Sequence, residues 1–472
     1  MAGLRKMARN TAVLTVSSVF MRCIGMAYQV WLAGRIGAAG IGLFQLVMSV
    51  NFLCVTVAIS GIRFTTTRLV SEELGTGRSG NVGAAVMRCC GYAAFFGFAA
   101  AAGMLIFAEP IGFLWIGDAR TVASLRIISF RMPFIAFSSV LNGYFIASGR
   151  VWKSAAVQVA EQLINIALVM LLLPTVEGGD IESACALICV GGTAADIASF
   201  LMIAAVYVFD RRAHGERRGV PSALTSRMLK IALPLALSVY ARTTLSTLED
   251  LMVPRALKKF GLGADAALGG YGTVTGMAFP IISFPSCVLS ALAEMTVPEL
   301  TEAQTAGDWA QIRRTVITLL KNSLMFSLAV AALIYFSADA LGQLIYKSAE
   351  VGQYLRLLAL IIPIMYLDIV TDGCLKGLGQ MMNSMFYNIT EALLGVALVA
   401  ALVPRMGLAG FVAVLFICEI FNFILSVQRL WKVVRRGTAN HLTYRQGFDK
   451  IKSTYYSVPR LGSVRGKTES QK

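Results

Sequence analysis

Leu125-Arg-Ile-Ile-Ser-Phe-Arg-Met-Pro133 recurs in outline as Leu355-Arg-Leu-Leu-Ala-Leu-Ile-Ile-Pro363, and the two stretches lie 230 residues apart. The same shift, without a gap, aligns Gly40 with Gly270, Gly42 with Gly272, Glu72 with Glu302, Gly143 with Gly373, Ser154 with Ser384, Glu161 with Glu391 and Pro174 with Pro404. One six-helix unit is therefore used twice. Duplicated membrane halves suit transport, because two similar bundles can rock about a site at their interface.

Composition sets the solvent. With 57% hydrophobic residues, 14% charged residues and a mean hydropathy of +0.69, the chain reads as an integral membrane protein. About twelve apolar runs meet the roughly 20-residue length of a bilayer span. They lie near 11–33, 40–62, 85–108, 124–147, 155–174, 184–209, 228–252, 268–292, 315–337, 354–377, 384–403 and 407–430. The fold expected is all-α and polytopic: an N-terminal six-helix lobe over 1–209, a linker over 210–227, a C-terminal lobe over 228–430 and a basic tail over 431–472.

The first run follows Arg5, Lys6 and Arg9 but contains Arg22 and has no small-residue cleavage site before Gly34, so it reads as a retained helix rather than a secretory signal. Lysine and arginine concentrate on alternate connections, among them Arg63, Arg68, Arg150, Lys153, Arg211, Arg212, Arg217, Arg218, Arg313 and Arg314. The positive-inside rule then puts both termini in the cytoplasm of a plasma-membrane protein, with the loop bearing Arg255, Lys258 and Lys259 against the trend. The net charge of +16 reflects these flanks and the tail. Anionic lipid is the partner expected for it, and nucleic acid is not.

No enzyme is legible. The nine cysteines fall in apolar runs, Cys185 and Cys189 have no histidine near them, and neither metal nor cofactor is called for. The connections hold no carboxylate constellation of the kind a membrane-face transferase needs.

Charges inside the spans carry the functional signal, since each costs roughly 2.5–3.5 kcal/mol at mid-bilayer and so faces a cavity or a partner. Arg22, Arg131 and Arg242 are candidates for holding phosphate, which a guanidinium grips with a two-pronged fork. The alternative for each is a structural pair with an acid or a carbonyl. Asp368, Asp372 and Glu391, with Glu249 and Asp250 nearer the outer end, are candidates for coupling sodium or a proton. Asp372 and Lys376 also have the spacing of a simple helical ion pair. Glu161 and Glu391, equivalent in the two copies, suggest shared architecture. Pro133 and Pro363, also equivalent, mark kinks that suit hinges or static bends.

Three stretches carry a resemblance to a known family. They are Ile24-Gly-Met-Ala-Tyr-Gln-Val-Trp-Leu-Ala33, Gly40-Ile-Gly-Leu-Phe-Gln45 and Ser60-Gly-Ile-Arg-Phe-Thr-Thr-Thr-Arg-Leu-Val-Ser-Glu72. Together they resemble the start of the stage V sporulation protein B group of the multidrug/oligosaccharidyl-lipid/polysaccharide exporter superfamily, whose members include lipid II flippases. The resemblance implies a monomeric flippase for a lipid-linked saccharide that works by alternating access. Relatives often carry arginine where this chain has Gln29 and proline where it has Arg63, and many continue for two more helices, which leaves room for a saccharide other than lipid II. A cation-coupled multidrug and toxic-compound extruder is the alternative, and a non-transporting scaffold for envelope assembly is a third.

Overall fold

The computed structural model describes residues 2–75, 79–175, 180–213 and 224–456. The middle of the expected linker, with His214, and the last residues of the basic tail lie outside the described residues.

Among the described residues the helices group into twelve segments, numbered here in chain order. Ala2–Ile59 is two segments joined at Gly37, whose φ of 69° breaks the helix, and the second continues past Ser60 and Gly61 as Ile62–Gly75. Segment 3 is Val82–Pro110 with a wide turn at Ile111–Ile116, segment 4 is Thr121–Ser129 and Met132–Ala147, segment 5 is Val151–Leu172 and segment 6 is Ile181–Ala213. The second lobe repeats the plan. Leu224–Phe260 is segment 7, and segment 8 runs from Ala264–Tyr271 through the wide turn Gly272–Ala278 and Phe279–Ser283 to Ser286–Thr305. Trp309–Tyr346 is segment 9, Ala349–Ala359 with Ile362–Gly377 is segment 10, and Met381–Tyr456 holds segments 11 and 12, broken at Gly407.

Segment 7 is the exception in composition. Arg242, Thr243, Thr244, Thr247, Glu249 and Asp250 interrupt the apolar residues of its second half. Such a helix is stable in a bilayer only when its polar side faces protein or water. Segment 12 also runs past the lipid boundary, continuing as helix to Tyr456, so much of the expected tail is helical.

The duplication is visible as repeated contacts. Arg126 pairs with Glu109 at 2.5 Å, and its equivalent Arg356 pairs with Asp339, the equivalent of Glu109. Ser154 donates to Asn142, and Ser384 donates to Asp372 in the same place of the second copy. Segments 4 and 10 bend by 46° and 55° at equivalent positions, just before Pro133 and Pro363. Each proline occupies the first turn of the lower half-helix, where the N–H it lacks would have had no partner. Segment 8 bends by 57° beside Pro285.

The lobes meet along two seams. The face of the molecule where the chain passes from segment 6 to segment 7 is called here the linker face, and its opposite the far face. At the far face Gly42 and Gly272 abut, Arg120 reaches Asp265 at 2.8 Å, and Lys258 donates to the Gly117 carbonyl at 3.2 Å. Segments 2 and 7 stay joined down the whole seam. Ser49 donates to Asp250 at 2.6 Å, Tyr240 donates to Ser60 at 2.6 Å, and at the linker face Arg227 holds Glu73 at 2.9 Å and also Glu72. Segments 1 and 8 are joined by Gln29 donating to the Gly276 carbonyl at 2.8 Å. Nearer the linker face Phe20, Arg22 and Cys23 of segment 1 are exposed.

Candidate functional site

Three arginines stand on the linker side of the far-face closure. Counting 1.5 Å per residue from the Gly42–Gly272 crossing, and using the Gln29–Gly276 and Ser49–Asp250 contacts to register the helices, Arg22, Arg242 and Arg63 lie about 17, 22 and 31 Å from it. All three are exposed. Arg22 and Arg242 make no hydrogen bond or ion pair among the described residues. A charge facing lipid at mid-bilayer depth is costly, and Arg242 lies within electrostatic reach of Asp368 and Glu391. Arg63 reads in the sequence as a loop charge. The structure places it just past the Ser60–Gly61 break, inside a helical segment.

Arg131 is elsewhere. It sits at the bend of segment 4, within the N-lobe, where its guanidinium pairs with Asp196 of segment 6 at 3.0 Å and both side chains are mostly buried. That ion pair holds the guanidinium in the N-lobe interior, so the geometry does not offer Arg131 to a substrate phosphate. Glu161 of segment 5 accepts from Ser199 at 2.5 Å and is a hydrogen-bonding neighbour of Asp196. The pair expected to be symmetric thus has different company in each lobe.

In the C-lobe, Asp368 of segment 10, Glu391 of segment 11 and Glu419 of segment 12 interact electrostatically, with Arg242 at their edge. Asn422 donates to one Asp368 oxygen at 3.2 Å, while the other oxygen is buried without a partner. Glu249 approaches Glu391, lying against Gly395 so closely that a Cβ there would come within 2.6 Å of its carboxyl oxygens. Asp372 and Asp250 are committed differently. Asp372 is held by Lys376 at 2.5 Å and by Ser384, and Asp250 joins the lobes through Ser49 while also accepting from Tyr271 of its own lobe. Among the described residues no three His, Cys, Asp or Glu side chains converge on a metal position.

The sequence reading passed over Glu419, Asp196, Asn422 and Arg63. The first two were findable by the rule that singled out the others, an acid inside an apolar run. A separate open pocket of about 600 Å³ lies at the far end of the N-lobe beside Trp31 and Arg35, and does not join either cluster.

Against this geometry, the profile of the polysaccharide biosynthesis protein family matches residues 7–292, more than half of the chain. The chain belongs to that family. The MatE profile matches residues 259–400. Among curated proteins, the stage V sporulation protein B of Bacillus subtilis (strain 168) is 23% identical over 411 residues, covering 85% of this chain and 79% of the relative. The lipid II flippase MurJ of the same organism is 24% identical, covering 67% of this chain and 62% of its own length. Among solved structures, an inward-facing multidrug resistance MATE transporter of the MOP superfamily superposes with a TM-score of 0.71 at 16% identity, covering 88% of this chain and 96% of that one. The fold expected from the sequence is the one found, and the family match together with the long apolar helices makes the chain a multi-pass membrane protein.

Proposed function

We propose that this polysaccharide biosynthesis family protein flips a lipid-linked saccharide across the plasma membrane by alternating access. The observation that carries the reading is the ladder of exposed guanidinium groups, Arg22, Arg242 and Arg63, on the linker side of a seam closed at the far face. A pyrophosphate moving between the lobes can be passed from one fork to the next, while the fork geometry favours phosphate over a neutral or cationic solute. The linker face is then the cytoplasmic face, with both termini on it, and the basic helical tail faces anionic lipid. Asp368, Glu391, Glu419 and Glu249 supply the coupling site for sodium or a proton, whose binding biases one state of the lobes over the other. The protein acts as a monomer.

The test is translocation of undecaprenyl-pyrophosphate saccharides in liposomes. Arg22→Ala is expected to lower the rate at least tenfold, as loss of a charge-assisted hydrogen bond worth about 1.5–3 kcal/mol requires. Unchanged translocation in Arg22→Ala, Arg242→Ala and Arg63→Ala removes the phosphate reading. The C-lobe acids also fit extrusion of organic cations. Cation-driven efflux of a cationic dye, abolished by Asp368→Asn and indifferent to Arg22→Ala, would favour that second reading.

A further inference from the structure

The two lobes contain the same interior pocket, between segments 4, 5 and 6 in one and segments 10, 11 and 12 in the other. Glu161 and Glu391 hold equivalent places in it. The remaining positions differ as a set. The 230-residue shift sets Ser138 against Asp368, Asp196 against Ser426, Gly192 against Asn422 and Arg131 against Ile361. In the C-lobe, Asn422 projects into the pocket and donates to Asp368. In the N-lobe the place of that side chain is vacated by Gly192, and the Arg131 guanidinium fills it: a Cβ on Gly192 would stand 3.2 Å from a terminal nitrogen of Arg131 and 3.8 Å from the Asn165 oxygen. The arginine gained at one position and the side chain lost at the other are thus complementary.

The N-lobe pocket is also under-satisfied. Asn165 Oδ1, Thr193 Oγ1 and Arg131 Nε are buried without a hydrogen-bond partner, Asp196 Oδ2 has only its ion pair with Arg131, and Thr193 is only 8% exposed. Carboxylate, amide and hydroxyl oxygens are the donor set that a hard cation takes, and buried polar atoms left unpaired are rare in folded proteins.

We propose that Arg131 is a tethered counter-ion standing where a monovalent cation would otherwise sit in the N-lobe pocket, so that cation binding is confined to the C-lobe. This rests on the reading that the C-lobe acids take the coupling cation. The duplicated transporter then carries one exchangeable cation and one that is part of its own chain. Removing the guanidinium leaves the acids of Asp196 and Glu161 unbalanced in the interior, which a small cation from solution can correct.

The experiment compares thermal unfolding of the purified protein in sodium chloride and in choline chloride at one pH and ionic strength, on a parent carrying Asp368→Asn, Glu391→Gln, Glu419→Gln and Glu249→Gln so that the C-lobe is silent. The parent is expected to unfold at the same temperature in both salts. Adding Arg131→Met should introduce a sodium-dependent rise of several degrees over about a hundredfold range of concentration, following the mass-action law for a ligand of the folded state. Asp196→Asn should remove the rise, and Arg131→Lys should never show it. Equal unfolding of Arg131→Met in the two salts overturns the proposal, as does an Asp196-dependent sodium response in the parent. Where Arg131→Met fails to accumulate, it is purified throughout in each salt: recovery in sodium alone supports the proposal, and recovery in neither overturns it. The C-lobe reading is scored separately, by whether the unsubstituted protein responds to sodium and the parent does not.

Discussion

Gly42 and Gly272, equivalent residues of the two copies, touch each other across the lobe interface at the far face. A Cβ on Gly272 would lie 2.6 Å from the Gly42 nitrogen and 2.2 Å from the Ala38 oxygen, and a Cβ on Gly42 would lie 2.0 Å from the oxygen of Leu268, the equivalent of Ala38. The contact therefore obeys the pseudo-twofold relation of the repeats. Backbone against backbone permits no side chain, so the far-face closure depends on glycine at both positions. Gly272→Val is expected to oppose that closure by about 1–3 kcal/mol, the usual cost of overpacking. Labelling of an introduced cysteine at Gln45 by an impermeant thiol reagent added from the far side should speed up roughly 5- to 150-fold. Unchanged labelling would show that the closure tolerates bulk there.

The ionic contact nearby is expected to matter much less. Asp265 is 68% exposed where it meets Arg120, and exposed pairs contribute at most about 1 kcal/mol. Asp265→Asn should leave far-side labelling within about fivefold of the unsubstituted protein. Asp118 is the firmer partner: burial pushes its carboxyl up, but the hydrogen bonds from Arg120 outweigh burial and hold it below the usual aspartate range. A carboxyl lowered in this way contributes its stabilisation above its ordinary value of about 3.9 and loses it as pH falls through the lowered one. Because the thiolate is the reacting form, labelling is read relative to a freely exposed cysteine at the same pH, and that ratio should stay flat from about pH 8 to 5 and rise only below about 4. A rise near neutrality would assign the closure to another group.

Asp372 provides a symmetry test. Its equivalent is Asn142, and both accept a hydrogen bond from equivalent serines, Ser154 and Ser384. Asp372→Asn reproduces the first copy, giving up the half-exposed pair with Lys376 and the charge that Asp372 sets near Asp368. Transport should be kept and stability changed by less than about 1 kcal/mol. Loss of cation dependence in that variant, measured by transport against a sodium or proton gradient, would return Asp372 to the coupling site.

The chain's periodicity and its exact internal shift made the fold legible, because a bilayer demands long apolar runs and a duplication leaves the same prolines and glycines in both copies. The bends before Pro133 and Pro363 were readable for that reason. The site was less so. Depth along a helix can be counted, but the rotation that turns Arg131 toward Asp196 is set by packing between segments that the sequence does not pair. Arg63 was hidden by a related fact: apolar residues near it thin out around the Ser60–Gly61 break, and the helix continues regardless.

Arg242 separates the two halves of the proposed mechanism because it belongs to both. It is exposed in the cleft, among the groups assigned to phosphate, and it also offsets the charge of Asp368 and Glu391. Its removal should therefore have opposite effects on the two ligands. Arg242→Met is expected to slow saccharide translocation while tightening cation binding, because Asp368, Glu391 and Glu419 lose the cation that offsets them. A pair of charges near a protein surface interacts by a few kcal/mol at most, and solvent in the cleft reduces this, so a gain of about tenfold in cation affinity is the scale to expect. Cation-dependent thermal stabilisation and translocation, measured on one preparation, give both numbers. Weaker binding of both ligands would mean that Arg242 acts by holding segment 7 in place, and the opposed roles argued here would fall.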